Sequence, residues 1–198
     1  MCRLFESIKI LNRKLCNVEY HNERMNNARR ELFGSKRSID LNKVVVVPED
    51  LSNEVYKCRV IYSENIIAID FQPYVKKSVR TLKVVHDDGI SYAYKYEDRS
   101  KILRHLSSGD ADEILIVKNG LITDTSYSNI VFSDGKNYLT PATPLLKGTK
   151  RAKLIDDKII YEDEIRLGNL HKFKFIYLIN AMLDLDETDR ISCSRIVV

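Results

Sequence analysis

The chain has 198 residues, 44% hydrophobic and 30% charged, with seven glycines and four prolines, the make-up of an ordinary folded domain or two small ones with enough apolar material for a core. A net charge of +4 spread over 32 basic and 28 acidic residues argues against a nucleic-acid partner and is compatible with a few cations gathered around a small anion. No apolar run nears the roughly 18 residues of a bilayer span, the N-terminus lacks a signal-peptide pattern, and Cys2, Cys16, Cys58 and Cys193 form no CxxC pair, so a membrane partner and a zinc site are not expected and a cytoplasmic setting is.

In chain order, Leu4 to Leu11 alternates as a strand, Asn12-Arg13 turns the chain and Leu15 resumes it. From Asn17 to Phe33 the residues Val18, His21, Met25, Ala28 or Arg29, and Leu32 or Phe33 recur at helical spacing, with Asn17 as N-cap and Gly34 as the stop. Val44 to Val47 reads as a short buried strand, and Pro48-Glu49-Asp50 as the opening of a helix over Leu51 to Tyr56. Lys57 to Ala68 and Thr81 to His86 read as strands, and Asp87-Asp88-Gly89 as a turn at the boundary between halves. Tyr92 to Tyr96 is a further strand, which places Lys95 on the face opposite Tyr92, Tyr94 and Tyr96.

A helix is expected over Asp98 to Leu106, closed by Ser107-Ser108-Gly109. Glu113 to Val117 and Leu121 to Thr125 form a hairpin around Asn119-Gly120; Asn129 to Phe132 and Tyr138 to Thr140 form another around Asp134-Gly135. Gly148 precedes a helix over Lys150 to Asp156, and Phe173 to Ile179 is a late buried strand. The class is mixed α/β (α+β). The expected domains are an N-terminal α/β domain over 1–87 and a C-terminal domain over 88–198 that carries Lys95 and most of the candidate site residues.

The densest chemistry lies between Thr123 and Arg151. An acid at Asp124, hydroxyls at Thr125, Ser126 and Ser128, an amide at Asn129 and the cationic turn Gly148-Thr149-Lys150-Arg151 stand close in sequence. Such parts suit a phosphorylated ring cofactor, with the acid for a ring nitrogen and amide donors plus positive charge for a phosphate. Outside this stretch, Lys95 has the chemistry of a covalent amine if it points inward, and Arg24 that of a bidentate phosphate ligand. Each also has a plain reading. Lys95 fits a solvated surface lysine, Asp124 an acid closing a hairpin, Arg24 a surface helix arginine, Gly148 a loop, and Ser128-Asn129 an Asx turn opening a strand. Asp184 to Asp189 reads as a solvated acidic turn, and the four histidines show no metal spacing.

The order of these residues resembles the class IV pyridoxal-phosphate aminotransferases, a group that includes branched-chain and D-amino-acid aminotransferases and aminodeoxychorismate lyase. The opening Leu4-Phe5-Glu6-Ser7-Ile8 followed by His21-Asn22-Glu23-Arg24 is similar to the family's start, where that arginine binds the cofactor phosphate. Lys95 precedes Asp124 by 29 positions and Asp124 precedes Asn129 by five, spacings that match the family's Schiff-base lysine, its acid at the ring nitrogen and the Asn of its Ser-Asn pair. The family carries Glu where this chain has Asp124, one methylene shorter. Its Gly-Ile/Val-Thr-Arg phosphate turn is matched here by Gly148-Thr149-Lys150-Arg151, with the hydroxyl moved by one position.

The resemblance covers most of a chain that is compact for the family. It implies fold type IV: two small α/β domains with pyridoxal 5′-phosphate in the cleft between them, usually in a homodimer. The implied catalytic residues are Lys95 and Asp124. The implied cofactor shell is Arg24, Lys95, Asp124, Ser128, Asn129, Gly148, Thr149 and Lys150. The implied activity is aminotransferase-like, on a small amino acid or amino-carboxylate through a Lys95 Schiff base. Elimination giving 4-aminobenzoate and pyruvate is the alternative, and a cofactor-binding homologue without catalysis is another. Arg3 is a candidate for a substrate carboxylate, or an exposed strand arginine.

Overall fold

Leu4, Ile8 and Ile10 lie at one parity of strand β1 (Leu4–Leu11) and are wholly buried. They pack against Val18, Met25 and Ala28 of helix α1 (Val18–Phe33), so one strand face and one helical stripe make a core. The computed structural model describes residues 2–106 and 111–197. It divides into two compact units, Met1–Lys76 with Tyr94–Asp98, and Lys77–Ala93 with Arg99–Val198.

In the first unit, β2 (Lys14–Leu15), β1, β3 (Tyr56–Tyr62) and β4 (Ile66–Pro73) form an antiparallel sheet in that order. Asn17 takes the left-handed conformation (φ 52) at the start of α1 and makes no side-chain cap bond, contrary to expectation; Gly34 closes the helix in the same region (φ 67). Residues 44–47 form no strand. Asn26 takes both backbone groups of Ile39, accepting from its N–H at 2.9 Å and donating to its carbonyl at 2.8 Å. Asn22 accepts from the Leu41 N–H at 2.8 Å. The chain is thereby committed to α1 and turns into a short helix, α2 (Leu41–Val44), capped by Asp40, leaving Val46 80% exposed.

Leu51 to Val55 is irregular, with a bend at Asn53-Glu54, and Tyr56 opens β3 rather than closing a helix, because it pairs with Ile10 and Pro73 on either side. A six-residue helix gains too little to compete with such a ladder. The single strand expected over Lys57 to Ala68 is a hairpin, folded where the Ser63 N–H donates to the Asn65 carbonyl at 3.0 Å. Tyr92 to Tyr96 gives one bridge, Tyr96 to Leu4. Around it Phe5 N–H donates to the Lys95 carbonyl at 3.0 Å and Glu97 N–H to the Arg3 carbonyl at 2.9 Å, so Lys95 lies in the first unit.

The second unit has two sheets. One runs β13 (Ile196–Val197), β5 (Leu82–His86), β6 (Glu113–Lys118), β7 (Leu121–Ile122), with β5 parallel to both neighbours. The other runs β10 (Tyr161–Asp163), β9 (Tyr138–Pro141), β8 (Asn129–Ser133), β11 (Phe175–Ile179), β12 (Ile191–Ser192). Leu82, Val84, Leu115 and Val117 of the first meet Ile130, Phe132, Ile176 and Leu178 of the second in one core. The opposite parity of β8 and β11, Val131, Tyr177 and Ile179, packs with Leu154 of helix α4 (Thr149–Asp156). Burial on both faces explains why these strands read as unbroken apolar runs.

The Asn119-Gly120 hairpin forms with positive φ at both residues (51 and 74), as a type I′ turn requires. The helix expected over Asp98 to Leu106 is one turn, α3 (Ser100–Leu103), continued by a 3₁₀ turn over Arg104–Leu106; the stop at Ser107-Ser108-Gly109 lies outside the described residues. Among the described residues no helix is long and apolar enough to cross a membrane.

Leu115 is wholly buried in the second unit's core, whereas Leu103 is 45% exposed. Leu115→Ala is expected to cost about 2–5 kcal/mol in urea unfolding, and Leu103→Ala less than about 0.5 kcal/mol.

Candidate functional site

Glu6 shares the core parity of β1 with Leu4 and Ile8, and an acid on that face must find partners. Helix α1 supplies them from His21 and Arg24, three residues apart and therefore on one face. Arg24 donates from Nε to Glu6 Oε1 at 3.0 Å and from Nη2 to Oε2; His21 Nδ1 lies 2.6 Å from Oε2. Burial alone would raise the Glu6 carboxyl, but the Arg24 charge and the His21 contacts together override it and hold it at about 2. Burial pushes His21 below its ordinary value, against the pull of Glu6, with the Arg24 and Lys95 charges lowering it further. A neutral ring beside a carboxylate places its proton on Nδ1, donated to Glu6.

The Lys95 amine lies 4.6 Å from the centroid of the Phe5 ring, and the Arg59 guanidinium carbon lies 4.2 Å from the same centroid. Arg59 also reaches Glu97 at 3.4 Å, as Arg3 does at 3.7 Å with its side chain 60% exposed. The first unit therefore groups Arg24, Glu6 and His21 in its core and sets Lys95 with Phe5 and Arg59.

In the second unit, Asp124 follows β7 and its carboxylate is buried. Asn129, first residue of β8, donates from Nδ2 to Asp124 Oδ1 at 2.7 Å and to the Leu146 carbonyl at 2.8 Å. Leu146 N–H donates to Asp124 Oδ2 at 2.9 Å. Two acceptors on Nδ2 fix which way the amide faces, and its oxygen is turned to Gly148. A Cβ built on Gly148 would stand 1.9 Å from that oxygen. The backbone there is ordinary (φ −72, ψ 146), so close approach, not conformation, requires glycine.

Gly148 is also the N-cap of α4 and provides no side-chain cap bond to its first turn, where Thr149 and Lys150 are buried. The Lys150 amine makes an ion pair with Asp184. Asp184 is therefore not simply part of a solvated turn, as its sequence had suggested. Arg151 turns away to Glu162 and the Pro141 carbonyl. Ser128 closes a tight loop with Thr125, whose Oγ1 accepts from the Ser128 N–H at 3.0 Å; the Ser128 hydroxyl accepts from Asn180 Nδ2 at 2.9 Å. Among the described residues no group of three or more His, Cys, Asp or Glu side chains is arranged to hold a metal ion.

The second unit thus joins Asp124, Asn129 and Gly148 in one cluster, with Thr149 and Lys150 continuing from Gly148 along α4. Glu6, Asn180 and Asp184 were not among the expected site residues. Only Glu6 carries a sequence signal, an acid at the apolar parity of a strand; the other two are brought in by folding.

Asp124 differs sharply from Glu6. Burial pushes its carboxyl up to about 6, and the donors from Leu146, Asn129 and Leu145 with the charge of Arg151 only partly offset this. Its folded value lies above the ordinary 3.8, so the folded chain binds the proton more tightly than the unfolded one. The stability this gives is complete below about pH 4 and is lost as pH rises through about 6. The difference corresponds to about 3 kcal/mol. Urea unfolding of the unliganded protein is therefore expected to show the stability of wild type relative to Asp124→Asn falling between about pH 4 and 6 and levelling above.

The family model described as "Amino-transferase class IV" matches residues 94–185. An uncharacterized protein of Haemophilus influenzae (strain ATCC 51907 / DSM 11121 / KW20 / Rd) is 38% identical over 185 residues, covering 92% of this chain and 98% of its own. A crystal structure from Haemophilus somnus 129PT, provisionally named a 4-amino-4-deoxychorismate lyase, is 32% identical with a TM-score of 0.83, covering 92% of this chain and 97% of that one. These two relatives share the short length. A hypothetical aminotransferase from Mycobacterium tuberculosis, solved with α-ketoglutarate and PMP bound, has a TM-score of 0.76 over 96% of this chain and 80% of that one; at 18% identity it speaks for the fold alone. The fold is that of the fold type IV aminotransferases, and the chain belongs to the class IV aminotransferase family of pyridoxal-phosphate-dependent enzymes.

Proposed function

We propose that this protein uses pyridoxal 5′-phosphate to activate the α-carbon of a small amino acid or amino-carboxylate, with Lys95 as covalent anchor and proton carrier. The observation that carries this reading is the Asp124–Asn129–Gly148 cluster: a buried carboxyl raised to about 6, held chiefly by neutral donors, with a glycine where a Cβ would displace the Asn129 amide. Such a carboxyl lacks one thing, a cation, and a protonated pyridine nitrogen is a cation of the right size. The residues present therefore fit the cofactor.

When bound, pyridoxal phosphate supplies an electron sink for the negative charge left at the substrate α-carbon. The chain's own residues do the rest. Asp124 holds the proton on the ring nitrogen, and Asn129 with the Leu146 N–H keeps the shorter acid aimed despite its missing methylene. The backbone N–H groups at the start of α4, Gly148-Thr149-Lys150, meet the phosphate with the positive end of the helix dipole. Arg24 adds a guanidinium, and Ser128 braces the strand start that carries Asn129. Lys95, displaced by the incoming amine, takes the α-proton and returns it. The working form under this reading is a cytoplasmic homodimer, as the family resemblance implies.

The site at which the proton is returned, or the bond broken instead, decides the product. With pyridoxal phosphate bound, return of the proton by Lys95 away from the substrate α-carbon would favour transamination and a keto acid. Loss of a β-leaving group gives elimination, and the provisional name of the 32%-identical H. somnus protein favours keeping that second reading, with 4-aminobenzoate and pyruvate as products.

Absorption with added pyridoxal phosphate, then borohydride reduction and peptide mapping, is expected to place one reduced adduct on Lys95, absent in Lys95→Ala. Adducts spread over surface lysines would sink the assignment. Keto acid from an amino donor, or 4-aminobenzoate from aminodeoxychorismate, separates the two reactions, and neither would indicate a binding homologue. Gly148→Ala must move the Asn129 amide and is expected to weaken cofactor binding by about tenfold or more, losing hydrogen bonds to a buried carboxylate while remaining folded; equilibrium titration with circular dichroism checks both.

A further inference from the structure

Glu113 opens β6 and is 1% exposed, a buried acid of the second unit with no part in the chemistry described so far. We propose that Glu113 is a positioning residue for the Asp124–Asn129 pair, holding the loop that joins the two by its bond to the Ser126 N–H. The role of that pair toward a cofactor ring rests on the function proposed above; the hold on the loop does not.

The ladder between β6 and β7 pairs Val117 with Ile122 and Lys118 with Leu121. Past β7 it carries on through the Thr123 N–H, which donates to the Ile116 carbonyl, and the Ile116 N–H, which donates to the Asp124 carbonyl, both at 2.9 Å. The same register sets Glu113 opposite Ser126, but at Ser126 and Tyr127 the chain bends out of the ladder. The Glu113 side chain takes over there. Its Oε1 accepts from the Ser126 N–H at 3.2 Å and from the Ile114 N–H at 2.9 Å, so a donor that leaves the sheet is still satisfied. The Ser126 carbonyl accepts from Arg99 Nη2, and the Thr125 N–H donates to the Ser128 carbonyl at 3.0 Å. Ser126 is thus held on both sides by side chains from outside the loop.

The second oxygen shows that this acid is not placed for stability alone. Among the described residues, Glu113 Oε2 is buried without a hydrogen-bond partner. The exposed Lys77 amine stands 3.6 Å away and donates instead to the Asp112 carbonyl at 2.6 Å. A buried carboxyl with one oxygen unbonded is destabilising, and an apolar residue would suit the head of so apolar a strand better. Such a group persists where its remaining bond serves the site. Here that bond anchors the middle of the stretch between Asp124 and Asn129. Releasing it lets water reach the Asp124 carboxyl. Burial is the largest influence on that carboxyl, ahead of its donors from Leu146, Asn129 and Leu145 and the charge of Arg151. Entry of water therefore lowers it.

The test titrates the unliganded full chain, labelled with carbon-13 at its aspartate carboxyls, with the Asp124 signal assigned by its absence in Asp124→Asn. Wild type is expected to titrate at about 6. Glu113→Gln keeps an oxygen within reach of the Ser126 N–H but removes the charge, and its midpoint is expected to stay within about 0.3 pH unit of wild type. Glu113→Asp keeps the charge but withdraws the oxygen by one methylene. Its midpoint is expected to fall by about one pH unit toward the ordinary 3.8, with exchange of the Ser126 amide at least about tenfold faster. The two variants separate reach from charge. A fall in Glu113→Gln, or an unmoved midpoint in Glu113→Asp, would overturn the positioning role. If Glu113→Asp does not fold, as judged by circular dichroism, exchange of the Ser126 amide in Glu113→Gln decides: wild-type protection supports the role, and its loss overturns it. Pyridoxal phosphate is expected to bind Glu113→Asp about tenfold more weakly than Glu113→Gln. Wild type that binds none would remove the proposed function and leave the aspartate titration to decide this inference by itself.

Discussion

The side chain of Asn129 is the contact on which the second unit's site depends. Its amide nitrogen bridges Asp124 and the Leu146 carbonyl, and its oxygen occupies the volume a Cβ on Gly148 would need. One residue therefore ties the end of the β6–β7 hairpin, the start of β8 and the turn into α4. It does so from the first position of a strand whose remaining residues are buried on both faces. The rigidity of the apolar strand is what makes a polar amide at its end reliable as a brace.

Two of the buried carboxyls, Glu6 and Asp124, show how partners decide behaviour. Glu6 sits beside a guanidinium and an imidazole and is held at about 2; Asp124 is surrounded chiefly by neutral donors and rises to about 6. Burial penalises the charge of both. Only Glu6 has a full positive charge in direct contact to offset it. The first is a settled structural anion and the second an acid still short of a counter-charge, which is the state a protein leaves where a ligand is to complete the balance.

Chain order and chemistry were legible together over much of the sequence. The parity of Leu4, Ile8 and Ile10, the helical spacing of Val18, Met25 and Ala28, and the Asn119-Gly120 turn each correspond to an observed element. Misreadings cluster where side chains far along the chain claim the backbone. Val44 to Val47 has the residues of a strand, but Asn22 and Asn26 of α1 bind the chain just before it. Leu51 to Tyr56 could start a helix locally, but β1 and β4 both pair with Tyr56. Lys150 reads in sequence only as part of a cationic turn, and its partner Asp184, thirty-four positions later, is brought to it by folding.

What the sequence by itself determined was periodicity, turn chemistry and the order of an acid, an amide, a glycine and a lysine, because these depend on neighbours a few residues apart. The family membership follows from that order. Tertiary structure alone decided that Glu6 faces Arg24, that Asn129 stands against Gly148, and that Asp124 is buried among neutral donors. Hydrogen bonds and desolvation act over a few ångströms in space, whatever the separation along the chain, so no reading of spacing could have supplied them.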